Sequence, residues 1–178
     1  MKKAILEESS KFKAVENLGG YINLVVETSP DPIAASLLLS TYLISRNKPF
    51  TVRFVDPFLS VNKLVRPPRG ITFFLGYTGL QHQKSYPSFE ISYYSDPPSG
   101  EEVLNPHLFG LNGILISSTT TLTYLLLKEL GYTTTDLASI VMGGILASQA
   151  ELDPEKLDGL NRVVLSDYRN AKFERDGG

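Results

Sequence analysis

Cysteine and tryptophan are absent from this chain of 178 residues, and it has only two methionines and two histidines. The missing cysteines exclude a disulfide framework, a thiol nucleophile and a zinc–thiolate site. A low content of thermolabile residues is also the pattern of thermophile proteins. Neither sign of charge dominates. Seventeen Lys and Arg against nineteen Asp and Glu leave a formal net charge of −2, whereas a domain built to grip nucleic acid is usually clearly basic. No apolar run reaches membrane-spanning length, and the segment Met1 to Glu8 has no long apolar signal core. These absences lead to the expectation of a cytoplasmic protein without a membrane partner.

What is present is a chain of ordinary domain size. Hydrophobic residues make up 42% of it, enough to build a core. Residues Ile5 to Leu18 mix charge and apolar groups at helical spacing and stop at Gly19-Gly20. Tyr21–Val26, Phe50–Val55, Ile71–Leu75 and Phe89–Tyr94 read as strands, rich in β-branched and aromatic residues. Ser29-Pro30-Asp31-Pro32 offers an N-cap and an early-turn proline for a helix from Ile33 to Arg46. Thr119 to Leu130 predicts a Leu-rich helix. A further helix runs from Thr133-Thr134-Thr135-Asp136 towards Gln149, and a short one starts at Asp153-Pro154-Glu155. Arg162–Leu165 fits a last strand or a helix turn. Residues 1–168 read as one domain and residues 169–178 as a frayed polar tail. Strands alternating with helices predict an α/β fold with a mostly parallel sheet and helices on both faces. In such a sheet the working crevice lies beyond the carboxyl ends of the strands, where Glu27, Asp56, Gly76 and Asp96 fall.

The segment from Glu27 to Leu39 resembles the first motif of the DHH phosphoesterases, the family of the RecJ nucleases, which reads His-x-Asp-x-Asp-Gly-x-x-(Ala/Ser). Glu27 stands at the His position, Ser29 at the first Asp, Asp31 at the second and Pro32 at the Gly. Further landmarks follow in order. Phe73-Phe74-Leu75-Gly76 sits where the family strand ends in a metal-binding Asp, so Gly76 replaces a ligand. Tyr94-Ser95-Asp96 sits at the Asp-His-His signature and has no His. Asn105-Pro106 resembles the family's Asn-Pro segment. Gly143-Gly144-Ile145-Leu146-Ala147-Ser148 resembles a helix-end motif whose last ligand is Asp, with Ser148 in its place. The resemblance covers Tyr21 to Gln149 and implies a DHH-like fold with a degenerate site at Glu27, Ser29, Asp31, Gly76, Asp96 and Ser148. A metal pair needs several converging carboxylates or imidazoles, so the resemblance implies no metal, no cofactor and no catalytic residue. It also implies that the family's second, substrate-clamping domain is missing.

Catalytically silent DHH proteins serve as replication factors. The chain is similar to RecJ-like archaeal relatives of the cell-division-cycle forty-five subunit of the CMG replicative helicase. That resemblance implies a scaffold that joins the GINS complex to the MCM helicase ring, with weak or no direct DNA binding. Two other readings stand beside it. One is a divergent metal-dependent single-strand nuclease or phosphodiesterase, with Glu27, Asp31, Asp56 and Asp96 as a weak magnesium site. The other is a single-strand DNA-binding module, with Tyr77, Tyr93, Tyr94 and Phe58 stacking bases and Arg66, Arg69, Lys84, Lys2, Lys3, Lys11 and Lys13 meeting phosphates. Plainer roles are available for each residue. Asp31 would be the N-cap of the helix that follows it, and Glu27 a solvated loop carboxylate. His82 would be solvated, His107 would make a local hydrogen bond, and the lysines would form a solvated face. Phe58, Leu59, Leu108 and Phe109 are candidate partner anchors, as is the edge of the sheet. No Gly-x-Ser-x-Gly elbow is present.

Overall fold

The computed structural model describes residues 2–56, 70–77, 87–93, 103–132, 137–148 and 159–176. Its elements are α1 (Lys2–Asn17), β1 (Ile22–Glu27), α2 (Pro30–Ser45), β2 (Phe50–Val55), β3 (Ile71–Leu75), β4 (Ser88–Ile91), β5 (Val103–Leu104), a 3-10 turn (Pro106–Phe109), α3 (Gly113–Ile116), α4 (Thr119–Glu129), α5 (Ala138–Ser148) and α6 (Gly159–Asp176). The five strands form one sheet in the order β2-β1-β3-β4-β5, and every pairing is parallel. The α/β parallel architecture expected from the sequence is therefore the one observed.

β1 and β3 are the central strands, and their alternate residues explain why the segment reads as a near-continuous apolar run. Ile22, Leu24 and Val26 register with Ile71, Phe73 and Leu75 on one face. They join Phe12 of α1, Leu38 and Leu39 of α2, and Leu122 and Leu126 of α4 in the main core. Phe12 is at its centre, 4.9 Å from the Phe73 ring and 5.5 Å from the Phe89 ring. The opposite face carries Asn23, Thr72, Ser88 and Glu90, all buried. The same face carries a second, smaller apolar cluster of Val55, Phe74 and Tyr77, with Val25 packed against it.

Several boundaries differ from the sequence reading. β5 has only two residues, too few for a periodicity to register. β4 ends at Ile91, so Tyr93 is not part of a strand. Residues Arg162–Leu165 belong to helix α6, which continues through Arg169 to Asp176, so the stretch expected to be a frayed tail is helical. The helix start expected at Asp153 lies outside the described residues. Among the described residues, no helix is long and apolar enough to cross a membrane.

The adjacent glycines of α5 have different roles. A Cβ on Gly144 would lie 2.3 Å from Thr120 Oγ1 and 2.7 Å from Ala34 Cβ, whereas one on Gly143 would meet nothing within 4 Å. Gly144 therefore lets α5 close onto the junction of α2 and α4. Gly143→Ala is expected to be neutral or to stabilise by about 0.5–1 kcal/mol, as alanine does in an open helix position. Gly144→Ala is expected to cost about 1–3 kcal/mol through overpacking. Urea unfolding of the two variants checks this, and equal effects would contradict the packing account.

Candidate functional site

In a sheet of this order the strand sequence reverses between β1 and β3, and the crevice at such a reversal is where open α/β folds place their ligands. The carboxyl end of β1 is Glu27 and β3 is followed by Gly76, so the sequence-predicted positions do converge here. Gly76 has φ +86°, a conformation that side chains rarely adopt. Its backbone N–H donates to Ile91 O at 3.0 Å. A Cβ built on it would lie 2.4 Å from Pro32 Cγ and 2.9 Å from Glu27 Oε2. The space that an aspartate at this position would need is filled by the Pro32 ring and the Glu27 carboxylate.

Glu27 is 8% exposed, so the expectation of a solvated loop carboxylate is corrected: it is tucked against the end of the neighbouring strand. Tyr77 follows Gly76, is buried, and donates its hydroxyl to Val55 O at 2.7 Å. Burial, and behind it the negative charges of Glu27 and Asp56, hold the Tyr77 phenol above its ordinary range. Glu27, Asp56 and Tyr77 thus share one neighbourhood at the crevice end of the sheet. With Tyr77 and Tyr93 both buried, neither offers an open face for stacking a base. Tyr94 and Phe58 lie outside the described residues.

Asp31 points elsewhere. Ser29, not Asp31, is the N-cap of α2, and its side chain makes no capping bond. Asp31 sits in the first turn of α2 and reaches across to α4. Its Oδ2 accepts from Thr119 N at 2.8 Å and its Oδ1 from Thr120 N at 2.9 Å, and its carbonyl accepts from Thr120 Oγ1 at 2.8 Å. Ser118, the N-cap of α4, accepts from Thr121 N at 3.0 Å, and Leu122 N donates to Ser118 O. Every first-turn amide of α4 therefore has an acceptor, two of them from a helix remote in sequence. The reading of Asp31 as the cap of its own helix is corrected: it caps another one. Burial, the larger influence, pushes its carboxyl above the usual range, against the opposing pull of the bonds from Thr120 and Thr119.

Among the described residues, the remaining positions do not assemble a cation site. Ser148 lies at the end of α5 and donates to Ile145 O at 2.8 Å. Asp96, His82, Arg66, Arg69 and Lys84 are outside the described residues. At His107 the backbone N–H donates to Asn105 Oδ1 at 2.9 Å, a bond of the turn's cap and not of the imidazole. Lys11 pairs with Glu8 at 2.7 Å. Among the described residues, no three His, Cys, Asp or Glu gather where they could hold a metal ion. Of the motif positions, Ser29 and Gly76 offer no carboxylate, Glu27 is the one carboxylate against Gly76, and both oxygens of Asp31 accept amides of α4. These residues do not fit a catalytic metal pair.

No family model and no curated relative matches the chain. Solved structures do. CDC45 from Entamoeba histolytica superposes with a TM-score of 0.72 at 13% identity, over 93% of this chain and 38% of that one. The chain shares the RecJ/DHH-like fold. An exopolyphosphatase-related protein from Bacteroides fragilis gives a TM-score of 0.65 at 14% identity, over 96% of this chain and 58% of that one. The exonuclease RecJ bound to manganese gives 0.64 at 13% identity, over 93% and 47%. The chain thus spans roughly two-fifths to three-fifths of the length of these structures.

Sequence reasoning missed the partners of Asp31 and the part played by Pro32. Ser118 before a run of threonines is a visible capping signal, but the bond from Thr119 to a residue 88 positions earlier is not visible in the sequence.

Three outcomes are expected. Asp31→Ala is expected to destabilise by about 1–3 kcal/mol for each amide left without an acceptor, and Asp31→Ser, too short to reach α4, is not expected to recover the loss. The folded-state pKa of Asp31 lies above its unfolded value, so the folded protein holds the proton more readily. Its contribution is fully present below about pH 3.9 and is lost as pH rises through the raised value. The stability of the wild type relative to Asp31→Asn should accordingly fall with rising pH; denaturant titrations at several pH values test the slope, and a rise would contradict it. Separately, Gly76→Ala is expected to cost about 2–5 kcal/mol from backbone strain and overpacking. Adding Pro32→Gly should relieve only the steric part. A fully stable Gly76→Ala protein in thermal melts would contradict the crowded crevice.

Proposed function

We propose that this chain is a non-catalytic scaffold of DNA replication rather than a phosphoesterase. The observation that carries the reading is the crowding at Gly76: Pro32 and Glu27 occupy the volume that a metal-binding carboxylate would need. The use of Asp31 as a helix cap supports it. Two-metal hydrolysis needs ions to activate water and to stabilise the leaving oxygen, and the described crevice residues supply no ligand set for them. A fold kept without its chemistry is most simply explained by use of its surface. The likeness to CDC45 agrees with a replication role. By the resemblance of the motifs, the partners are the GINS complex and, through it, the MCM ring.

The competing reading is a divergent single-strand nuclease or phosphodiesterase. It is favoured by the likeness to manganese-bound RecJ and to an exopolyphosphatase-related protein. Two assays separate the readings. Purified protein with manganese is expected to leave labelled single-stranded DNA intact. Co-expression with GINS subunits is expected to yield one complex on size-exclusion chromatography, stable to moderate salt. Manganese-dependent cleavage lost in Asp31→Ala would overturn the first expectation, and separate elution at micromolar concentration would overturn the second.

A further inference from the structure

β2 meets the crevice at its carboxyl end, where Val55 O accepts from the Tyr77 hydroxyl; the rest of the strand and the outer side of α2 form a separate flank. β2 is the outermost strand of the sheet and is hydrogen-bonded to β1 alone among the strands. Val52 and Phe54 register with Leu24 and Val26, so they lie on the face of the sheet that carries the main core and α2. They are nevertheless 36% and 53% exposed. On α2, Leu37 and Ile44 are 47% and 63% exposed, and Ile33 is half-buried. The spacing of 33, 37 and 44 puts these three on one stripe of the helix. α4 and α5 both pack against α2, which also touches β2. The exposed apolar residues of α2 and of β2 thus belong to two elements that meet at this flank.

The charged residues of β2 and of the turn that leads into it, Arg53 and Lys48, are both cationic, and Asp56 follows the strand at its crevice end. Arg46 interacts with Tyr42, whose hydroxyl bonds Glu16 of α1. Arg46 and Arg53 are exposed and Lys48 half-exposed. Arg53 registers with Val25, which places it on the face of the sheet opposite to Val52 and Phe54. A strand laid along this edge would thus meet apolar groups on one face and positive charge on the other.

We propose that the β2 edge takes an extended, acidic segment of a partner protein as a sixth strand. The backbone of the segment would pair with the outer edge of β2, as in strand addition. Because strand side chains alternate between faces, its apolar residues would rest over Val52, Phe54 and Leu37, and its carboxylates would face Arg53. The end of the segment beside Pro49 would meet Lys48. A second copy of this chain is a poor occupant, because two such edges would set like charges against one another. Single-stranded nucleic acid has no amide ladder to pair with the strand and no use for the apolar face. The proposal rests on this flank alone and is independent of the reading of the crevice.

Two fluorescein-labelled decapeptides test it, one alternating valine with glutamate and one alternating valine with lysine, read by anisotropy against the full chain. The acidic peptide is expected to bind, and the basic one to bind at least about tenfold more weakly. Arg53→Glu, an exposed change that leaves the core intact, is expected to reverse that order. Phe54→Ser is expected to weaken the acidic peptide about tenfold without lowering the melting temperature. Amide exchange in β2 should slow when the acidic peptide is bound. Failure of the acidic peptide to bind at millimolar concentration, equal binding of both peptides, or an unchanged order in Arg53→Glu would overturn the proposal. So would concentration-dependent dimerisation lost in Phe54→Ser, or an oligothymidine that binds more tightly than the acidic peptide and is released by Arg53→Glu.

Discussion

The reach of one carboxylate from α2 to the first turn of α4 holds the crevice side of this fold together. A helix begins with amides that have no partner within it, and burying them unsatisfied is costly. α4 buries its N-terminus, with Thr119, Thr120 and Thr121 all fully inaccessible. Asp31 takes two of the exposed amides and Ser118 a third. The bond from Thr120 Oγ1 to Asp31 O clamps the backbones of α2 and α4 together. Behind this junction, Thr121 continues the polar chain to Asn161 of α6, and Gly144 lets α5 close over it. Three later helices thus depend on the geometry fixed at Asp31.

That dependence bears on the chemistry. In the motif that this segment resembles, the Asp31 position holds a metal. Here its oxygens serve neighbouring amides, Ser29 offers no carboxylate, and Pro32 fills the volume beside Gly76. The same few residues that would have to supply a metal site are engaged in packing β1, α2, β3 and α4. For this crevice to hold a metal pair, Pro32 would have to move before position 76 could carry a side chain, and α4 would need another cap before Asp31 could turn. The parallel sheet and its switch point depend on the apolar registers of β1 and β3, which the crevice residues do not enter.

Much of the fold was legible in the sequence. Ile22 to Val26, Phe50 to Val55 and Ile71 to Leu75 are compact β-branched and aromatic runs bounded by Gly and Pro, and each is a strand. Ser29 with Pro30 marked the start of α2, and the Leu-rich run after Ser118 marked α4. β5 was not legible because two residues carry no period. The helix at Arg169 to Asp176 was masked by its charge, which resembles that of a solvated tail. The site was legible in its location but not in its roles. Position after a strand put Glu27 and Gly76 at one crevice. Nothing local revealed that Asp31 serves a helix that starts 88 residues later, or that Glu27 is buried, because both facts depend on tertiary neighbours.

The most direct test of the central claim, that structural duties have displaced metal binding at this crevice, is titration of the intact chain with manganese, followed by electron paramagnetic resonance of the free ion. Without a converging ligand set, the free-ion signal should rise in proportion to added manganese, with no saturable site at micromolar concentration, and Asp31→Asn should behave as the wild type does. Saturable uptake of two ions per chain, lost in Asp31→Asn, would contradict the account.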